Sequence, residues 1–149
     1  MATERTKRTI VLPILPVYAD GIMNGSKRVE FRKRNVPIAT SRVVLYATLP
    51  VGRVVGVIEV VAIHEVEPTI AWSQYSSIGG IEQTEFFEYY KNTPLARVLK
   101  IANPIPLNVD LSTLVNMGIR ISQGFSYISD EQLEKMVELS ATFRMKLPI

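Results

Sequence analysis

The sequence predicts an α+β protein rich in β-structure, built as a small mixed barrel of five or six strands with short flanking helices. Three observations lead to this fold class. Several β-branched runs occur at uneven spacing, the longest run contains a glycine, and no regular alternation of strands and helices is present. The 149 residues are enough for one domain, and 47% of them are hydrophobic, so a core can form without disulfides.

The first half of the chain contains four predicted strands and one helix. Pro16 suits the first turn of a helix that runs to Asn24, where Gly25 ends it. Gly56 lies inside the longest strand and predicts a bulge or a sharp bend. The strands are predicted from β-branched or alternating residues at 9–15, 27–33, 42–48 and 53–66.

The second half combines short helices with two more strands. Helices are predicted at 68–75 and 84–91, strands at 95–101 and within 119–128, and an irregular connection at 104–114. Ser129 and Gln132 have the spacing of a capping box, which opens an added C-terminal helix that runs to about Met145. Its apolar side is expected to pack on the barrel. The alternative is a homodimer through this helix, with Met136, Phe143 and Met145 at the interface.

The composition excludes several kinds of site. The chain has no cysteine, and its single histidine, His64, lies in an apolar strand, so thiolate chemistry is excluded and a zinc site lacks ligands. The N-terminus is polar without an apolar segment behind it, and the longest apolar stretch is too short to span a bilayer. We therefore expect a cytoplasmic protein with no membrane contact, no metal and no cofactor.

The basic residues are distributed unevenly, although the net charge is only +3. Residues 5–34 include eight lysines and arginines, opposed by Asp20 and Glu30, whereas glutamates dominate the middle of the chain. A localised basic patch on a balanced protein indicates an anionic partner such as a nucleic acid. The alternative is a solvated charged face.

The segment with the most chemical information is 25–32, Gly-Ser-Lys-Arg-Val-Glu-Phe-Arg. Alternate residues of a strand share a face, so Glu30 and Arg32 lie roughly 7 Å apart and can pair or jointly address a ligand. Lys27 lies at the turn before the strand, from which its ammonium group can reach across the mouth of the barrel. An exposed amphipathic strand has the same pattern, and that alternative stays open.

This segment resembles the signature of ASCH domains, a branch of the PUA-like superfamily. The similarity extends in order over residues 10–128, and it includes Trp72 and the stretches 13–19, 46–51, 55–60, 79–81, 86–90 and 123–127. The subgroup that it resembles consists of small prokaryotic and phage ASCH proteins labelled predicted transcriptional regulators. The resemblance implies a PUA-like pseudo-barrel over residues 8–128 and a C-terminal helical extension over 129–149.

The resemblance also implies a cleft beside the helix that precedes the charged strand. In the superfamily this cleft binds RNA, or a flipped or modified base, so we predict binding of nucleic acid, with RNA favoured over DNA, or of a modified nucleoside. Cationic side chains can neutralise phosphate, and aromatic rings can stack on a base, although each aromatic can instead belong to the core. The predicted ligand-binding residues are Lys27, Glu30, Arg32, Arg28, Trp72 and Tyr127.

Some ASCH proteins are enzymes, which gives two catalytic alternatives. One resembles amidohydrolases that remove acyl groups from modified cytidine with a lysine, a threonine three residues later and a distant glutamate. Lys27 matches the lysine and Glu82 or Glu85 the distant glutamate, but Glu30 occupies the threonine position and cannot replace a hydroxyl nucleophile. The other is a ribonuclease in which Lys27 and Glu30 form an acid–base pair. A non-enzymatic adaptor without nucleic-acid affinity is a third alternative.

Overall fold

The structure, a computed structural model, describes residues 7–34 and 36–146. The side chains of Phe143 and Met145, predicted on the apolar side of the last helix, lie outside the described residues. The elements in chain order are β1 (Arg8–Ile14), α1 (Pro16–Met23), β2 (Val29–Arg32), β3 (Thr40–Ala47), β4 (Arg53–Val66), α2 (Pro68–Tyr75), α3 (Gln83–Tyr89), β5 (Ala96–Asp110), α4 (Leu111–Asn116), β6 (Ser126–Ile128) and α5 (Asp130–Lys146).

The six strands form one mixed sheet in the order β2, β5, β4, β3, β1, β6. β1 and β3 are parallel, and the other neighbours are antiparallel. Within the described ranges β2 and β6 are not hydrogen-bonded to each other, so the sheet stays open. Short helices flank it. This arrangement confirms the predicted α+β class with mixed strands and is consistent with a pseudo-barrel.

Three clusters of buried side chains hold the helices on the sheet. α5 contributes Leu133 and Met136 to a cluster with residues of β3, β4 and β5. α1 contributes Ile22 to a second cluster over the middle of the sheet. The third is largely aromatic, with the fully buried Phe86 of α3 packed against Phe31 of β2. The C-terminal helix therefore packs on the sheet, as predicted, whereas pairing between two copies through it stays a prediction.

β4 is irregular where the sequence contains Gly56. Its register with β3 shifts between Val54 and Gly56, which leaves Val55 as an extra residue on that side. The register with β5 also shifts at this point. A Cβ at this glycine would overlap the sulfur of Met23 and lie 3.0 Å from the carbonyl oxygen of Ile105. The predicted bulge is confirmed, and the missing side chain lets α1 pack closely on the sheet.

One predicted connection is wrong. Residues 104–110 belong to β5, which continues to Asp110, and the six-residue helix α4 follows where the rest of the irregular segment was predicted. The side chain of Asp110 accepts a hydrogen bond from the backbone N of Thr113 at 2.9 Å and so caps this helix. The last strand occupies only three residues of the predicted range.

The capping box at the start of α5 is confirmed by both of its hydrogen bonds. The backbone N of Gln132 donates to Oγ of Ser129 at 3.1 Å, and Oε1 of Gln132 accepts from the backbone N of Ser129 at 2.9 Å. The helix is 17 residues long. In the described part of the chain, no helix combines the length and the apolar composition that crossing a bilayer requires.

We expect Ser129→Ala to lower the free energy of unfolding by about 1 kcal/mol, because it removes the side-chain acceptor at the N-terminus of α5. Urea denaturation followed by circular dichroism measures the difference. Ser129→Asp keeps an acceptor at this position and serves as the control, with stability near wild type. Equal stability of the alanine variant and wild type would show that water satisfies this helix end equally well.

Candidate functional site

A cleft of about 580 Å³ lies between α1, β2 and α3. We name it the Lys27 cleft, after the residue at its floor. Its volume is in the range of sites that enclose a small organic molecule. Aliphatic residues of β1 and polar residues of the segment before β6 line part of the cleft. The lining also includes four charged side chains, Lys27, Glu30, Arg32 and Glu85, and three aromatic ones, Tyr18, Phe31 and Tyr89.

Lys27 is buried, with only 2% of its surface exposed. Its Nζ donates a hydrogen bond to the carbonyl oxygen of Gly79 and lies 3.6 Å from Oε1 of Glu30. The ring centroids of Tyr18 and Phe31 lie 5.2 and 5.1 Å from the same nitrogen. Burial lowers the pKa of Lys27, and the Glu30 carboxylate opposes this shift. The lysine is thus a buried cation with several partners, not a surface charge reaching across the barrel mouth.

Glycines make the space that the Lys27 side chain occupies. A Cβ on Gly80 would lie 2.8 Å from Cβ of Lys27, and a Cβ on Gly21 would lie 3.2 Å from the same atom. Gly80 also has a φ of +62°, which is the left-handed region that favours glycine. A Cβ on Gly79 would lie 2.7 Å from the ring of Phe31. The two consecutive glycines therefore let the loop before α3 close over the lysine.

Glu30 links Lys27 to Arg32. Its Oε1 accepts a hydrogen bond from the backbone N of Phe31 at 3.1 Å, and its Oε2 lies 3.9 Å from Nη1 of Arg32. Side-chain exposure rises from 6% at Glu30 to 21% at Arg32, so the guanidinium group reaches the cleft mouth. The predicted pairing of Glu30 with Arg32 is confirmed. The alternative of an exposed amphipathic strand is wrong, because Glu30 is buried.

α3 forms the opposite wall and carries Glu85 and Tyr89 one turn apart. The hydroxyl of Tyr18 donates to Oε2 of Glu85 at 2.7 Å. Burial is the main cause that raises the pKa of Tyr18, and this hydrogen bond raises it further. The hydroxyl of Tyr89 accepts from the backbone N of Lys33 at 3.2 Å, and burial raises the pKa of Tyr89. Both phenols therefore stay protonated at neutral pH and present aromatic surface to the cleft.

The structure brings some of the predicted residues together and not others. Lys27, Glu30, Arg32 and Glu85 line one cleft. Arg28 is exposed beside a separate cavity of about 210 Å³ that also touches Lys27. The exposed Glu82 immediately precedes α3 and does not line the Lys27 cleft.

Two predicted base-stacking aromatics also lie outside the Lys27 cleft. The ring of Trp72 packs 5.1 Å from Phe86 and 6.0 Å from Phe87, so it belongs to the aromatic core cluster. Tyr127 is 54% exposed on β6, with the guanidinium carbon of Arg8 at 5.2 Å from its ring centroid. The packing of α2 and the position of β6 therefore place both rings away from the Lys27 cleft.

Three aromatic cleft residues are absent from the predicted set, namely Tyr18, Phe31 and Tyr89. The helical spacing of Glu85 and Tyr89 is a signal that could have found the latter, because residues four apart share a helix face. Tyr18 and Phe31 match the buried faces of α1 and β2, and their position beside Lys27 has no signal in local sequence. The polar cleft residues Ser122 and Gln123 lie in a segment without periodicity.

Comparison with known proteins identifies the family. Residues 12–108 match the family model for the ASCH domain. The chain belongs to the ASCH domain family. An ASCH domain-containing ribonuclease of Zymomonas mobilis is 28% identical to it over 139 residues, which cover 91% of this chain and 94% of the relative.

Solved structures agree with this assignment. The crystal structure of ASCH from Zymomonas mobilis superposes with a TM-score of 0.82 and 26% identity, covering 89% of this chain and 96% of that one. The N-terminal domain of Staphylothermus marinus McrB has a TM-score of 0.58 and 12% identity over 93% of this chain and 98% of its own, a likeness of fold alone. The resemblance to ASCH domains predicted from the sequence is confirmed.

The side chains that line the Lys27 cleft determine what it can bind. Its aromatic and aliphatic walls can accept a planar ring, and Arg32 at the mouth can bind an anion. The buried Lys27–Glu30 pair can hold or transfer a proton. Among the described residues, no group of three or more histidine, aspartate or glutamate side chains is arranged to hold a metal ion.

Proposed function

We propose that this ASCH protein binds single-stranded RNA by taking one nucleotide into the Lys27 cleft. The observation that carries the proposal is the row of charges that runs from the buried Lys27 through Glu30 to Arg32 at the mouth, beside aromatic walls. A base can stack on an aromatic ring such as Tyr18 or Tyr89, and a phosphate can take charge-assisted hydrogen bonds from Arg32. This combination suits a nucleotide better than an uncharged nucleoside.

The choice of RNA draws support from the relatives. The Zymomonas mobilis protein, which is called a ribonuclease, matches this chain over almost its whole length. The amidohydrolase alternative has less support, since Glu30 occupies the position where that chemistry needs a hydroxyl nucleophile. A role in transcriptional regulation stays a prediction from the sequence.

Cleavage of RNA is a second candidate function, favoured by that relative's name and by the buried Lys27–Glu30 pair. In this scheme the ribose 2′-hydroxyl attacks the adjacent phosphorus and the bond to the 5′-oxygen breaks. Glu30 accepts the hydroxyl proton, Lys27 donates a proton to the departing oxygen, and Arg32 stabilises the phosphate charge. The products are a 2′,3′-cyclic phosphate and a 5′-hydroxyl. RNA that stays uncut, or that ends in other groups, would exclude this scheme.

The binding proposal predicts that Arg32→Ala weakens binding of a single-stranded RNA oligonucleotide by about 10- to 100-fold, the range for loss of a charged hydrogen bond. Arg32 reaches the cleft mouth, so its loss leaves the buried Lys27–Glu30 pair in place. Fluorescence anisotropy at low and physiological salt measures the affinity. Lys135→Ala removes an exposed charge from α5 and is the matched control. Equal affinities of the two variants would place the RNA site outside the Lys27 cleft.

A further inference from the structure

A row of three cations leads out of the Lys27 cleft at the end of β2. We name it the basic ridge, and it consists of Arg32, Lys33 and Arg34. Arg32 lies at the cleft mouth, and the other two are exposed. Among residues 7–34 and 36–146, no carboxylate lies within ion-pair distance of Lys33 or Arg34. β2 is an edge strand of the sheet, so the ridge borders solvent.

The ridge is fixed to the cleft wall. The ring of Tyr89, which lines the cleft, has its centroid 4.7 Å from Nζ of Lys33. The hydroxyl of Tyr90 donates to the carbonyl oxygen of Arg32 at 3.0 Å, and Nη1 of Arg97 donates to the carbonyl oxygen of Lys33 at 2.9 Å. These contacts hold the backbone of the ridge beside the cleft. The side chains of Arg32 and Lys33 are also held, by Glu30 and by the Tyr89 ring, so two of the three cations are positioned before any ligand arrives, which lowers the entropic cost of binding.

The other end of the same wall is acidic. Glu85 lies one helical turn before Tyr89, about 6 Å along the axis of α3, and Tyr18 fixes its carboxylate. A phosphate at that end would meet a negative charge, whereas at the ridge it meets three positive ones. The cleft therefore has a negative end at Glu85 and a positive end at Lys33, which lies beside Tyr89 at the other end of α3.

From this polarity we infer that an RNA strand with one nucleotide in the Lys27 cleft leaves over the basic ridge. Its neighbouring phosphates bind Lys33 and Arg34, while Glu85 keeps the backbone away from the opposite end. This inference rests on the proposed function and specifies its ligand. The ligand is a single strand of several nucleotides, because the phosphate of a mononucleotide in the cleft reaches Arg32 but not Lys33 or Arg34.

The double variant Lys33→Ala/Arg34→Ala tests this path. Fluorescence anisotropy measures its binding of a short mixed-sequence RNA oligonucleotide. Amide chemical shifts measure its binding of nucleoside 5′-monophosphates. The ratio of oligonucleotide affinity to mononucleotide affinity should fall about tenfold, and the slope of log affinity against log salt should flatten by about 1.4, since each single-strand phosphate contact contributes about 0.7. The control, Arg42→Ala/Lys135→Ala, removes the same charges from exposed positions outside the cleft and keeps both values.

The outcomes separate the path from the site. If the ridge variant has the same salt slope and affinity ratio as its control, the proposed path over the ridge is wrong. If Arg32→Ala then still reduces mononucleotide binding, the Lys27 cleft remains the RNA site. If neither probe binds wild type, the proposed function and the path both fail.

Discussion

Replacing Glu30 with alanine is expected to lower the free energy of unfolding by about 3–5 kcal/mol, because it leaves Lys27 as an unpaired charge in the protein interior. Glu30 is the anion beside that ammonium group, at 3.6 Å. The carbonyl of Gly79 and two aromatic rings remain as partners, but none of them carries a formal charge. Urea denaturation at neutral pH measures the loss.

The control for this prediction removes both charges at once. Lys27→Met/Glu30→Leu fills similar volumes with apolar groups, and such replacements of buried ion pairs are close to neutral. This double variant should therefore be more stable than Glu30→Ala. A loss of less than about 1 kcal/mol in the single variant would show that water reaches Lys27 in the native state. If the double variant keeps the fold without the pair, it also separates the proposed role of the pair in RNA binding from its role in stability.

The stability of Glu30→Ala should also depend on pH in a way that differs from wild type. The pKa of Lys27 is lowered in the fold relative to 10.5, so the unfolded chain binds more protons between the two values and stability rises with pH across that window. Glu30 raises this pKa, so its removal moves the lower limit of the window to lower pH. The difference in stability between Glu30→Ala and wild type should shrink as alkaline pH neutralises the lysine. A difference that is constant with pH would contradict a charged Lys27.

The second large effect is expected at Phe86. Phe86→Ala should lower the free energy of unfolding by about 3–5 kcal/mol, the usual cost of removing a fully buried aromatic ring. The ring is 0% exposed, and its centroid lies 4.9 Å from those of Phe31 and Tyr90 and 5.1 Å from that of Trp72. It joins α3 to β2, two of the walls of the Lys27 cleft, so the proposed RNA binding should weaken together with stability.

Phe87→Ala is the matched control for this prediction. Phe87 is the next residue of the same helix but is only partly buried, so its loss should cost clearly less. Thermal and urea denaturation of the two variants give the comparison. Equal losses would show that the aromatic cluster as a whole, rather than the central ring, holds α3 on the sheet.

The part of the site that local sequence could predict is the part that one strand supplies. Glu30 and Arg32 share a face because strand residues alternate, and Lys27 adjoins them through the glycine turn. Glu85 and Tyr89 reach the same cleft only because Phe86 places α3 against β2. Local propensity contains no information on that packing, so the aromatic wall could not be predicted.

The missed part of β5 has a related cause. Pro104 and Pro106 argue against a strand, because proline cannot donate to a ladder. β2 pairs with β5 only along Arg97–Lys100, and the later residues pair with β4 alone. The prolines are tolerated where the second neighbour is missing, and the sequence does not show where β2 ends relative to β5.

The position of β1 in the sheet has a consequence for synthesis on the ribosome. β1 pairs with β3 on one side and with β6 on the other, where Thr9 faces Ile128. β1 therefore stays half-paired, with Val11 lacking the cover of Ile128 and Leu133, until translation has passed β6. Such distant pairings form slowly and leave apolar strands open to association. We expect the nascent chain to be a client of ribosome-associated chaperones for most of its elongation.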